Sequence, residues 1–408
     1  MSDRLKMILK LVGLVALAAL IGFFLYLLFF KNTPVVTETP TEGTTANGTL
    51  PGSATGSPTT GGTKPTTGGT GTGTGTLPPS QVANGGTTFT TQLTSSAVTT
   101  PTLTSGNKIA FYDGRDGRFY TIDSNGNLVA LSDKTFPEAQ TVVISNGAEK
   151  AAIEFPDGSN ILYDFATEKQ VTLPSHWEDF AFSPDSSEVV SKSLGSDPNS
   201  RALTLTNSDG SQTRVIAPLG ENASKVTASW SPNNNVVAFS DTGSVQSGFG
   251  RHEIYLIGQD GEAGANIIVD GENFSAEWAP SGNAIVYSVA DPNNHYRATL
   301  WYTQAGGQND GEGRKKLGVE TAVEKCTWSD ETTVYCAVPK EGKDNSGVDT
   351  RVITSMDDVY KINVTSGKKT LVAVPAIPSQ MFNLQVSDDG SLLFYTDILG
   401  HLNSMRLK

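Results

Sequence analysis

Histidine and cysteine are scarce in this chain: its 408 residues include only 4 His and 2 Cys. His176, His252, His295 and His401 are scattered, and no Cys-x-x-Cys pair occurs, so the spacing that metal centres use is missing and no metal is expected. Gly-x-Ser-x-Gly is absent too, which removes the nucleophile elbow of α/β-hydrolases. No cofactor motif stands in its place, and none is expected to bind. Basic residues are outnumbered, 29 Lys and Arg against 42 Asp and Glu, for a net charge of −13. A body this acidic repels nucleic acid and anionic lipid headgroups, so nucleic acid is excluded as a partner. Finally, no aromatic residue lies between Phe30 and Phe89, and a stretch without them has little with which to build a core.

What is present begins with an apolar run, "LVGLVALAALIGFFLYLLFF", over residues 11–30. As a helix it spans about 30 Å, the thickness of the hydrocarbon core of a bilayer. It is longer than the apolar stretch of a cleaved signal peptide and meets Lys31 directly. It reads as a transmembrane signal-anchor, with lipid bilayer as its partner. Arg4, Lys6 and Lys10 hold the 1–10 tail in the cytoplasm and place everything downstream outside. Residues 31–86 are rich in Thr, Gly and Pro and read as a disordered tether spanning roughly 40 Å. Its threonines suit O-linked sugar or plain solvation equally. The domain that follows runs from 87 to 408.

That domain repeats itself. "LTSGNKIAFYD" (103–113), "ISNGAEKAAIEF" (144–155), "AFSPDSSEVVS" (181–191), "WSPNNNVVAFSD" (230–241), "WAPSGNAIVYS" (278–288), "WSDETTVYCAV" (328–338) and "VSDDGSLLFYTD" (386–397) share one layout. A strand ends in an apolar residue, a tight polar corner follows, and a second β-rich strand leaves it. Further strand–turn–strand pairs follow most copies, as in "GRFYTIDSNGNLVALS" and "RALTLTNSDGSQTRVI". Four short antiparallel strands per copy, at this spacing, predict an all-β, seven-bladed β-propeller. The last copy stops one strand short, and "TTFTTQL" (87–93) belongs to no copy, so it is expected to supply the missing outer strand and close the ring.

The "FSPD" and "WSP" corners, followed by "VAFS" or "IVYS" and a later "IYL", resemble the repeats of TolB-like and WD-repeat-like β-propellers, which are related to the propellers of prolyl oligopeptidases. The resemblance covers about 87–408. The Asp-Gly that usually follows Ser-Pro is missing at Ser231 and becomes "WSDE" at Ser329. TolB's additional α/β domain is not visible, so TolB's partners do not carry over.

Candidate sites follow from this frame. Cys326 and Cys336 flank a corner, which sets them opposite each other on adjacent strands, as a disulfide requires. "DSNGN" (123–127) has the start of a calcium loop without its Gly and distal Glu, and reads as a turn. Asp113, Asp241 and Asp397 recur after the second strand and are read as caps of the following loop, with the lining of a polar central site as the alternative. Connections between second and third strands emerge on one face, and four neighbouring copies have long ones: 192–201, 241–252, 289–298 and 338–357. Arg201, Asp241, Arg251, His252, His295, Tyr296, Arg297 and Arg351 populate them and are the candidate partner-binding residues. The expected role is non-catalytic binding or scaffolding, toward a protein or an envelope glycan. The alternative is a glycan lyase or hydrolase using acids of the central channel. Asn47, Asn222, Asn273 and Asn363 are glycosylation sequons.

Overall fold

A buried serine hydroxyl starts most of the repeats. Ser145, Ser183, Ser231 and Ser387 are all almost wholly buried. Each accepts a hydrogen bond from the backbone N–H five residues on: Lys150 at 2.9 Å, Glu188 at 3.0 Å, Val236 at 2.9 Å and Leu392 at 2.9 Å. The N–H three residues on donates to the carbonyl of the same serine. That residue takes a left-handed backbone: Ala148 (φ 56°), Ser186 (58°), Asn234 (64°) and Gly390 (63°), with Gly282 (71°) at the equivalent place after Ala279. The polar corners of the sequence are therefore one turn, built repeatedly, that reverses the first strand into the second.

We describe residues 78–408 of a computed structural model, apart from 249 and 341–355. Strands follow one another as antiparallel meanders of four, giving units at 98–130, 141–173, 177–218, 226–270, 272–316 and 326–375. A seventh consists of Phe382–Val386, Leu392–Thr396 and His401–Arg406, with its fourth strand supplied from the beginning of the domain. The strand Thr90–Thr104 pairs through Thr90, Thr91 and Gln92 with Met405, Ser404 and Asn403, then continues as the first strand of unit 1, with Val98 opposite Asp113. The expected closure is present, and a single strand serves both ends of the ring.

No unit has a core of its own. The buried apolar clusters straddle successive units: Phe119 and Phe136 with Tyr163, Leu162 with Trp177, Leu203 with Trp230, Ile254 with Tyr287, Leu300 with Trp328, and Tyr335 with Leu393. Phe394 and Leu402 of unit 7 meet Ile109 and Phe111 of unit 1, which completes the circuit. The tryptophans before the corners also tie neighbours together. Trp278 Nε1 donates to Ser229 Oγ at 3.0 Å, and Trp328 Nε1 to the Glu277 carbonyl at 3.3 Å.

Cys326 and Cys336 are directly paired across the first hairpin of unit 6 and form a disulfide, both buried. Two details differ from the sequence reading. Residues 80–86, assigned there to the tether, bond to the propeller: Ala83 N–H to the Arg406 carbonyl and Gly85 N–H to that of Val372, before Thr87–Thr88 adds a parallel fifth strand to unit 6. These contacts are backbone bonds, which threonine and glycine supply without any apolar signal. And 289–298 is largely hairpin, with Asp291 opposite Arg297, leaving a connection of only 292–296. The apolar run 11–30, the tether up to 77 and Arg351 lie outside the described residues. Among the described residues no helix is long and apolar enough to cross a membrane.

Candidate functional site

Because strands alternate in direction, the connections between second and third strands share one face with the links from each unit to the next. The candidate residues that are described sit on this face, and the arginines among them are engaged locally. Arg201 donates through Nε to the Gly195 carbonyl at 3.1 Å, and its Nη1 lies 3.9 Å from Glu221 Oε2. Arg297 Nη1 donates to Glu320 Oε2 at 3.1 Å, and Asn294 holds the other oxygen at 2.9 Å. Arg251 Nε stands 3.5 Å from Asp270 Oδ1, while Arg314 takes Oδ2 of the same carboxylate at 2.9 Å and lies over the Trp301 ring. His295 and Tyr296 both adopt left-handed backbone at the tip of their hairpin, which leaves the Tyr296 side chain exposed.

His252 is the second residue of the third strand of unit 4, Arg251–Ile257, and Asp241 follows its second strand. Their Nε2 and Oδ1 atoms are 2.9 Å apart, close enough for an ion pair but not aligned as a hydrogen bond. The Asp241 carboxylate raises the imidazole above its ordinary value against the opposing effect of burial, with the Gly250 carbonyl and Glu272 adding to the rise. Unit 7 repeats the arrangement with Asp397 and His401, 3.2 Å apart. Asp113 caps its own loop by accepting from Arg115 N–H at 2.9 Å and from Ser96 Oγ at 2.8 Å. Asp123 accepts from the N–H groups of Asn125 and Asn127, so 123–127 is a turn.

Two groups carried no sequence signal. Glu154, Glu178 and Asp179 meet where units 2 and 3 adjoin. Burial raises the Glu154 carboxyl, and the charges of Glu178 and Asp179 raise it further. Asp179 pairs with Lys192 at 3.1 Å and accepts from Ala228 N–H of unit 4 at 3.0 Å. Its backbone is left-handed, φ 58°, which interrupts the ladder. Deeper still is Lys325 with Asp357, both fully buried and 2.6 Å apart, where Asp357 also accepts from Met381 N–H of unit 7. Both groups join residues far apart in the chain, so no local pattern announces them. Among the described residues no three His, Cys, Asp or Glu side chains are gathered as metal ligands would be.

No protein-family profile matches the chain, and no curated protein is similar to it in sequence. Solved structures are similar in fold. An oligogalacturonate lyase in complex with manganese matches at 14% identity and a TM-score of 0.54, covering 78% of this chain and 93% of the lyase. An oligogalacturonate lyase from Vibrio parahaemolyticus matches at 11% identity and 0.52, covering 78% and 93%. The β-propeller domain of Cps50 (Swd1) from Myceliophteria thermophila matches at 11% and 0.51, covering 78% and 98%. One architecture thus serves both enzymes and a WD-repeat propeller, and its function must be argued from the site. The described body of this chain is a β-propeller.

Proposed function

We propose that this chain is a membrane-anchored, TolB-like propeller that binds a protein or an envelope glycan outside the cytoplasm, without catalysis. The observation that carries the reading is that the longer connections of units 3 and 4, after Ser193 and after Ser240, leave from one face, the face where Lys340 N–H meets the Met356 carbonyl at the two ends of the unit 6 connection. A rigid ring that grows loops on one sector of one face has the form of a recognition scaffold. The disulfide agrees with an oxidising location, and the apolar run 11–30 provides the anchor. The test is a pull-down with the full-length chain, repeated after replacing 243–249 or 341–355 by a short Gly-Ser bridge. Loss of the captured partner is expected, and retention after both replacements overturns the reading.

A glycan-acting enzyme is the second reading, favoured by the Glu154, Glu178, Asp179 and Lys192 group. A carboxyl raised by burial and by neighbouring carboxylates, beside an ion-paired one, is a common acid–base arrangement. Cleavage of a polysaccharide that disappears in both Glu154→Gln and Asp179→Asn, with folding intact, would establish it.

A further inference from the structure

Isolated exposed apolar side chains are ordinary on a protein surface; what carries information is where they gather. Six large ones lie on the face just described: Val245 in unit 4, Tyr296 in unit 5, Met356 in unit 6, Ile377 in the link from unit 6 to unit 7, and Ile398 and Leu399 in unit 7. Their exposure ranges from 41% for Met356 to 84% for Val245. The remaining exposed ones, Phe89, Leu128, Val129 and Val215, are on or beside fourth strands at the rim. Among the described residues the opposite face, made of corners and turns of Asn, Asp, Ser and Gly, carries none of them. Nor do the connections on the first face in units 1–3.

Among the described residues, most of the Arg and Lys side chains of the same sector are paired within it, although Lys225, Glu272 and Glu324 stand exposed in or beside its links. Asp241 takes His252, Asp270 takes Arg251 and Arg314, Glu320 takes Arg297, Asp291 takes Lys316 at 3.2 Å, and Asp358 takes Lys340 at 3.0 Å. A polyanionic glycan or a lipid headgroup needs open cations, and the cations just named are closed by carboxylates of the neighbouring loops. Projecting Ile, Leu, Val, Met and Tyr among cations already paired with carboxylates suit a partner that contributes apolar side chains and little charge.

We infer that units 4–7 dock an apolar segment of another protein on this face, with Ile377, Ile398 and Leu399 as the principal contacts. This rests on the binding reading above and gives its partner a chemistry. The experiment pans a phage library of random twelve-residue peptides against the immobilised full-length chain, then measures the selected peptides on variants. Selected peptides should carry apolar anchors. Ile377→Asp/Ile398→Asp/Leu399→Asp should weaken them about tenfold or more, since the apolar contacts are lost and charges take their place. The rim variant Leu128→Asp/Val129→Asp should leave binding unchanged, and both variants should keep the parent's Tm. Binding lost on replacing 341–355 but unaltered in the triple variant overturns the apolar contact while sparing the loop-face reading. Selection of basic or purely polar peptides also overturns it. So does self-association, or binding to phosphatidylcholine vesicles, that the triple variant abolishes, because the occupant would then be a second copy or a membrane.

Discussion

Ser231 shows how much one hydroxyl does here. It is fully buried, donates to Asn233 Oδ1 at 2.7 Å and accepts from Val236 N–H at 2.9 Å. Ser231→Ala leaves that buried N–H without its side-chain partner, so a loss of about 1–3 kcal/mol is expected in urea unfolding. Glu277 makes a prediction of opposite sign. It is partly covered on the first strand of unit 5, and burial pushes its carboxyl up to about 8, with Glu324 raising it further. A carboxyl raised on folding contributes stability below its unfolded value near 4.5 and loses it as pH climbs through about 8. Glu277→Gln should therefore raise Tm by a few degrees at pH 8 and by progressively less toward pH 5, as scanning calorimetry would show. The corner serines were legible in the sequence because their chemistry is local and recurs. Glu277, Lys325 and Asp179 were not, since their partners belong to neighbouring units or distant strands.

At the level of the element, Thr90–Thr104 has the largest consequence. Its first part completes unit 7 and its second part opens unit 1, so the ends of the circuit are held by covalent continuity as well as hydrogen bonds. Deleting residues 87–95 exposes the edge of His401–Arg406 and should lower Tm by many degrees while far-UV circular dichroism remains β-rich; an unchanged Tm would contradict this role. The closure was readable from alternation in "TTFTTQL" and from a last copy one strand short. The parallel strand Thr87–Thr88 was not, because two threonines make no pattern. The connection at 289–298 was overestimated for a related reason: Pro, Asn and His suggested a loop, yet the ladder from Ala284↔Gln304 to Asp291↔Arg297 runs unbroken. His252 and Arg251 likewise stand at the start of a strand, Arg251–Ile257, instead of within a loop.

The whole ring is held at its interfaces, so damage at one should be felt by all. Lys325 and Asp357 of unit 6, with Met381 N–H and the Phe382 ring of unit 7, form such a tie. Lys325→Met leaves Asp357 buried without its cation and should cost about 3–5 kcal/mol in denaturant unfolding, with Lys325→Met/Asp357→Leu recovering part of the loss. The loss should lower a single cooperative transition. A separate early transition confined to unit 6 would show that the units unfold independently. Reduction of the Cys326–Cys336 bond should act the same way, at roughly 2–3 kcal/mol on the loop-entropy account. At this scale the architecture was the most legible property, because seven copies of a local motif average out the ambiguity of each. The candidate face was legible in position but not in character. Sequence suggested cations and aromatics, whereas folding paired the cations with nearby acids.

The shared strand also governs how the molecule is born. Residues 90–97 leave the ribosome long before the strand they must pair with, His401–Arg406, has been made. Throughout elongation the nascent chain carries an unmated β-edge at its front that nothing in its own sequence can yet cover. Translation pauses or truncated transcripts would prolong that window, so the cell has reason to shield residues 90–97 until His401–Arg406 has emerged.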